Sequence, residues 1–256
     1  MTILPPALPQ DMPRERLIGI TTTVPVEVLM AGGVVPVDLN NLFVTHPEPA
    51  RLVSLAEDHG FPRTCCCWTR GLYGAVHEFD IPRVLGVARG DCSNAEALLE
   101  VLAHEGRETL AFDYPRDQDP AAMQSALEEL AAGVGADLQD AESLRNRLNE
   151  ARAVAHEIDR LSWAEDRVHG LENHLWLVST SDFCANVDAY DSSARDFLEA
   201  TTGREPIEHE VRLGLCGIPP IVPALCDFLE QHGGLVVYNE TPRQFALPAP
   251  ASSLAE

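Results

Sequence analysis

The apolar positions change rhythm along the chain. From Arg16 to Asp113, short apolar runs alternate with amphipathic stretches. Arg16–Ile20 reads as a short buried strand, and Val24-Pro25-Val26-Glu27 opens a helix with proline near its first turn, which Gly32-Gly33 ends. Val34–Leu39 reads as a second strand and Glu48–His59 as a helix closed by Gly60. Arg83–Ala88 is the next strand; after Arg89-Gly90-Asp91-Cys92, Ser93 and Glu96 show capping-box spacing at the head of an Ala/Leu-rich helix. Thr109–Phe112 makes a fourth strand. This order predicts an α/β lobe with a largely parallel sheet.

The period then lengthens. Asp119-Pro120 caps a new helix, and the pattern stays mainly helical to about Arg204, with Leu144, Leu148, Ala151, Val154, Ile158 and Leu161 forming a core stripe at intervals of three and four. Strand signals return at Val211–Cys216 and Leu235–Asn239, separated by a helix from about Ile221 to Gln231. The domains expected are a tail over 1–15, an α/β lobe over 16–118, a helical region over 119–205, a partial second α/β lobe over 206–246 and a tail over 247–256. The second lobe reads as cut short, with two strands where four or more are usual, and its open edge predicts a dimer or a heteromeric partner.

Charge narrows the function. Forty acidic residues face 18 basic ones, all arginine, for a net charge of −22. That argues against a nucleic-acid surface. No apolar stretch approaches the roughly 18 residues of a membrane span, and Met1–Arg16 lacks the order of a signal peptide, so the chain reads as soluble and cytoplasmic. Seven cysteines, an odd number, suit reduced thiols or metal ligands better than disulfides. There is no glycine-rich nucleotide fingerprint, no His-Glu-x-x-His helix, no Cys-x-x-Cys pair and no Gly-x-Ser-x-Gly elbow.

The cysteines therefore carry the candidate chemistry. Cys65-Cys66-Cys67 lies in a loop after Phe61-Pro62, before an expected helix containing Trp68 and Tyr73. Cys92 follows a buried strand at a helix N-terminus, where unpaired N–H groups and the helix dipole favour the thiolate, the form that metals bind. Cys216 ends its strand before Gly217-Ile218-Pro219-Pro220, on the edge of a parallel sheet where ligands gather. Cys226 falls in the apolar stripe Ile221, Val222, Leu225, Phe228, Leu229 and reads as core; Cys184 reads as ordinary packing. The nine histidines, His46, His77, His169 and His209 among them, form no zinc-like pair and read mostly as surface residues. Asp38-Leu39-Asn40-Asn41 and Ser181-Asp182 suit turn and cap roles or a polar ligand.

In order, Ile18-Gly19-Ile20-Thr21, Val24-Pro25-Val26-Glu27-Val28-Leu29, Val34-Val35-Pro36-Val37-Asp38-Leu39, the cysteine loop, Gly90-Asp91-Cys92, Gly217-Ile218-Pro219-Pro220 and Val236-Val237-Tyr238-Asn239-Glu240 resemble the 2-hydroxyacyl-CoA dehydratase and benzoyl-CoA reductase subunit family, typified by the 2-hydroxyglutaryl-CoA dehydratase D-component. The resemblance implies flavodoxin-like lobes with a helical region, and an iron-sulfur cluster, of [4Fe-4S] or double-cubane type, held by cysteine thiolates. It also implies single-electron transfer from an ATP-dependent activator protein to an acyl-CoA-type substrate, in a dehydratase-like lyase or an acyl-CoA reductase, with a second subunit or a homodimer. By motif position Cys66, or its neighbour Cys65 or Cys67, takes the first ligand place and Cys92 the second. The family's third cysteine would lie beyond Glu256, so Cys216, or else Cys184, would substitute. A shortened homologue that binds a cluster or a partner without catalysis, and a metal-free α/β protein, are the alternatives.

Overall fold

The computed structural model describes residues 8, 12–89, 92–116, 119–217 and 224–255. It divides into two compact units, Ala7–Asn146 with Ala251–Glu256, and Arg147–Pro250. None of its helices is long and apolar enough to cross a membrane.

The larger unit is built on β1 (Leu17–Ile20), β2 (Val35–Asp38), β3 (Arg83–Arg89) and β4 (Glu108–Asp113), all parallel in the order β2-β1-β3-β4. The chain moves one way from β1 to β2 and the other way on to β3, so the order reverses between β1 and β3. This is the switch point of the flavodoxin-like arrangement, the edge at which parallel sheets generally bind ligands. Position in the sheet explains composition. The central strands β1 and β3 are nearly continuous apolar runs buried along most of their length, as parallel strands covered on both faces must be. Pro36, which has no N–H to give, is tolerated because β2 is an edge strand.

Around this sheet stand α1 (Val26–Ala31), α2 (Leu39–Val44), α3 (Pro49–Asp58), α4 (Cys67–Glu78), α5 (Ser93–His104), α6 (Pro120–Val134) and the first part of α7 (Leu138–Glu165). Asp119 caps α6 through Ala121 N–H at 3.0 Å, with Pro120 opening the helix as expected. Helices α3 and α4 approach so closely at Gly74 that a Cβ there would lie 2.2 Å from the Leu52 carbonyl oxygen. In the α7 stripe Leu148, Ala151, Val154, Ile158 and Leu161 are buried, and Leu144 is half-buried.

The smaller unit holds the rest of α7, α8 (Gly170–Val178), α9 (Val187–Thr202), β5 (Val211–Leu215), α10 (Leu225–Gln231), β6 (Gly234–Asn239) and α11 (Glu240–Phe245). Strands β5 and β6 make a two-stranded parallel sheet. Its polar core is a buried Asp159, gripped by two nitrogens of Arg243 at 2.7–3.0 Å and by Asn173 at 2.8 Å.

Two sequence expectations need correction. The second strand stops at Asp38 instead of Leu39, because Asp38 turns to cap α2, a helix the apolar pattern does not announce. Helix α5 is N-capped by Cys92, not Ser93: Cys92 has the extended backbone of a cap (φ −88°, ψ 155°), so Ser93 is already the first helical residue and its capping box does not form. The histidines stay exposed or half-buried, as expected, though some pack against other rings. His46 lies edge-on to Phe79, and His59 stacks on His77 with ring centroids 5.4 Å apart. The expectations for Gly90-Asp91, Ile218-Pro219-Pro220 and the start of the helix at Ile221 and Val222 lie outside the described residues.

Candidate functional site

The carboxyl edge of the larger sheet is assembled from the ends of β1 and β2 and the beginnings of α4 and α5. Thr21 N–H reaches Leu85 O at 3.2 Å, carrying the β1/β3 pairing one residue past the strand. The Asp38 carboxylate accepts from Asn40 N–H at 2.8 Å and from Asn40 Nδ2 at 2.7 Å. Asn40 Nδ2 also donates to Thr21 O at 2.9 Å, and the Trp68 indole N–H donates to Asn40 Oδ1. Trp68 stands edge-on to Phe43, with ring centroids 5.7 Å apart. The Asp38-Leu39-Asn40-Asn41 stretch is thus a cap and a brace.

Cys66 is the N-cap of α4, and its carbonyl accepts Arg70 N–H at 3.1 Å. Burial alone would push the Cys66 thiol up. The N–H groups of Thr69 and Trp68, the Thr69 hydroxyl and the Arg70 charge outweigh burial, and its pKa falls below the ordinary thiol value. Arg70 is itself buried and paired with Glu57. Cys66 and Cys67 are exposed, while Cys65 is half-buried and points its thiol at Asn94 Oδ1, 3.9 Å away. Asn94 lies in the first turn of α5, two residues beyond the exposed N-cap Cys92. Two helix N-termini that begin on cysteines are therefore brought to one sheet edge and joined by the Cys65–Asn94 contact. Beneath them, the hydroxyls of Thr21 and Thr23 are buried without a partner.

The other cysteines differ. Cys216 is exposed directly after β5, in the smaller unit, where Gly217 N–H donates to Glu240 Oε2 at 2.8 Å and the Thr241 hydroxyl to Gly217 O at 3.2 Å. Cys184 is 4 % exposed, and burial together with Asp182 pushes its thiol up to about 12. Its backbone is left-handed, as are those of Phe183 and Ala185 (φ 52°, 52° and 57°). Without a bound group to offset it, burial makes the Cys184 thiolate costly, whereas Cys216 is exposed. Cys226 is core as expected, its thiol pushed up to about 11 by burial and nearby acids. Among the described residues, no three or more His, Cys, Asp or Glu side chains form a group able to hold a metal ion.

Two features escaped sequence reasoning. At the far ends of α4 and α5, Glu105 accepts the Tyr73 hydroxyl at 2.6 Å and meets His77 Nε2 at 3.0 Å. In the smaller unit, a cavity of about 630 Å³ is lined by His169, Glu172, Ile207, Asp227, Glu230 and Leu235, among others, with His169 Nδ1 at 2.7 Å from Glu230. Both depend on pairs far apart in the chain, for which sequence spacing gives no signal.

The donor chemistry at the sheet edge suits a thiolate-bound group: the Cys66 pKa is lowered, and a helix N-terminus offsets negative charge. The chain matches the family model described as 2-hydroxyglutaryl-CoA dehydratase, D-component, over residues 21–256. No curated protein matches it.

Proposed function

Since the chain belongs to the 2-hydroxyglutaryl-CoA dehydratase D-component family, we propose that it is an iron-sulfur subunit of a 2-hydroxyacyl-CoA dehydratase or acyl-CoA reductase system, with Cys66 and Cys92 as ligands. One observation carries this reading: Cys66 and Cys92 N-cap two helices that start at the same sheet edge, tied by Cys65 and Asn94. When bound, such a cluster supplies single-electron chemistry at a potential set by charge, hydrogen bonds and exposure. The chain's own residues do the holding. The first-turn N–H groups of Trp68 and Thr69 and the Arg70 charge lower the Cys66 pKa, and the exposure of Cys66, Cys67 and Cys92 leaves the edge open to a partner.

In this reading the electron comes from an ATP-dependent activator protein, the substrate is an acyl-CoA-type thioester, and a second subunit or a second copy completes the assembly in the cytoplasm. Cys216, the remaining exposed thiol, is the third ligand proposed. Cys65 and Cys67 flank the first. A second reading, a homologue that binds a partner or an incomplete cluster without catalysis, draws support from the lack of a three-ligand group among the described residues.

The test is iron content and visible absorption of anaerobically prepared protein. Cys92→Ser should remove most bound iron, Cys216→Ser should lower it, and Cys226→Ser should leave it unchanged. Serine is a good N-cap, worth about 1 kcal/mol over a side chain that caps poorly, so Cys92→Ser should stay folded. Equal iron in wild type and Cys92→Ser would defeat the ligand assignment.

A further inference from the structure

The thiol-bearing turn before α4 is anchored to the sheet through Asn40. Its side-chain amide faces three groups: Nδ2 donates to Thr21 O at 2.9 Å and to Asp38 Oδ1 at 2.7 Å, and Oδ1 accepts the Trp68 indole N–H; the backbone N–H of the same residue also donates to Asp38 Oδ1, at 2.8 Å. The amide can sit only one way round. Flipped, its oxygen would face a carbonyl and a carboxylate, and its NH₂ would face an indole that can only donate.

Trp68 makes this matter for the thiols. It is the second residue of α4, two beyond Cys66, and its backbone N–H is one of the two that act on the Cys66 sulfur. Its ring is held at one side by the edge of Phe43 and at the N–H by Asn40, so its orientation is fixed twice. The N-cap of α4 lacks the side-chain oxygen that usually secures a helix start, since a cysteine stands there. The sequence therefore leaves the cap position to chemistry, and the geometry of the first turn depends on a brace from outside the helix.

We propose that Asn40 is the positioning residue of the cysteine site, fixing the first turn of α4, through Trp68, against the carboxyl ends of β1 and β2 so that Cys66 is presented in one orientation. This rests on the reading of Cys66 as a cluster ligand, but the brace itself is a property of the metal-free chain. Two variants separate its parts. Trp68→Phe keeps a ring against Phe43 and removes only the N–H. Asn40→Asp keeps the shape and the acceptor for Trp68, but replaces the donating Nδ2 that faces Thr21 O and Asp38 with an oxygen that repels both.

The experiment uses the full-length chain, metal-free and after anaerobic loading with iron and sulfide. Hydrogen exchange should quicken about fivefold or more over residues 64–70 in Trp68→Phe, as expected for one lost hydrogen bond, and further in Asn40→Asp, while exchange over Leu138–Glu165 stays at the wild-type rate. Loaded Trp68→Phe should hold less than half the wild-type iron and give an altered electron paramagnetic resonance signal. Wild-type exchange at 64–70 in both variants overturns the proposal. So does quickening that spreads into Leu138–Glu165, or wild-type iron and spectrum despite local quickening. If Asn40→Asp does not fold, Trp68→Phe decides alone. If the wild-type chain itself takes up no iron, the cluster reading fails, and the exchange comparison still judges the brace.

Discussion

β3 and β5 are both parallel strands that lead to an exposed cysteine, yet their surroundings differ. β3 lies between β1 and β4 and is buried over Val84–Val87; Cys92 then caps a 12-residue helix. Among the described residues β5 has only β6 beside it, with Val211, Arg212 and Gly214 exposed. Both chain segments place a thiol at a carboxyl edge. Enclosure, more than strand identity, decides how firmly that thiol is held, because a strand fixed on two sides cannot shift without breaking two ladders.

The sharpest way to break this comparison is through close packing in each unit. Gly74→Ala would set a Cβ 2.2 Å from the Leu52 carbonyl oxygen, and backbone cannot yield as a side chain can. In the smaller unit, a Cβ at Gly170 would lie 2.7 Å from the Val236 Cβ, a less severe approach than the 2.2 Å at Gly74. Gly74→Ala should cost about 3 kcal/mol or more in denaturant unfolding, and Gly170→Ala clearly less. Equal losses would mean that the two units are packed with the same rigidity.

A gentler comparison uses the strands themselves. Leu85 in β3 is fully buried, so Leu85→Ala should destabilise by about 2–3 kcal/mol; Leu213 in β5 is half-exposed, and Leu213→Ala should cost below about 1 kcal/mol. A large loss at Leu213 would show that another chain or ligand covers β5 in solution.

The smallest expected effect is a pH response of opposite sign. Burial, aided by Arg107 and His59 and opposed by Glu105, lowers the pKa of His77 below its ordinary 6.5. Its neutral form is favoured in the fold, so its contribution is present above 6.5 and is lost as pH falls through the lower folded value. The Glu230 hydrogen bond raises the pKa of His169 against burial; its contribution is full below 6.5 and is lost as pH rises through the higher folded value. Acidification from pH 7.5 to 5.5 should therefore speed hydrogen exchange around Tyr73–Glu78 and slow it around His169–Asn173, after correction for intrinsic rates. Shifts of the same sign in both segments would refute this assignment.

The four larger-unit strands were legible because each is an apolar run bounded by glycine, proline or charge. Helix α2 was hidden: six residues are too few for a 3.6-residue period to show, and its signal was the cap Asp38. Cys92 was correctly placed at a helix start, but serine's stronger capping preference drew the boundary one residue late. The Asn40–Trp68 bond joins residues 28 apart, and nothing in either neighbourhood announces the other. The left-handed turn at Phe183–Ala185 was likewise invisible, since these residue types favour no such conformation and the surrounding packing must impose it.

The last described residues return to the larger unit. Arg145 in α7 donates to the carbonyls of Ala251 and Ser252 at 2.7 and 3.0 Å, and Glu142 accepts Leu254 N–H at 2.7 Å. In the order of synthesis, the smaller unit is thus a long excursion made before the larger one receives its final contacts. A ribosome that has delivered β1 to β6 has still not released the segment that α7 clasps. The larger unit can form its sheet early, as N-terminal domains tend to do, but must wait until residues 251–254 have left the ribosome to close that clasp. Closing a loop of roughly a hundred residues adds little entropy per extra residue, so the delay is one of timing more than of stability.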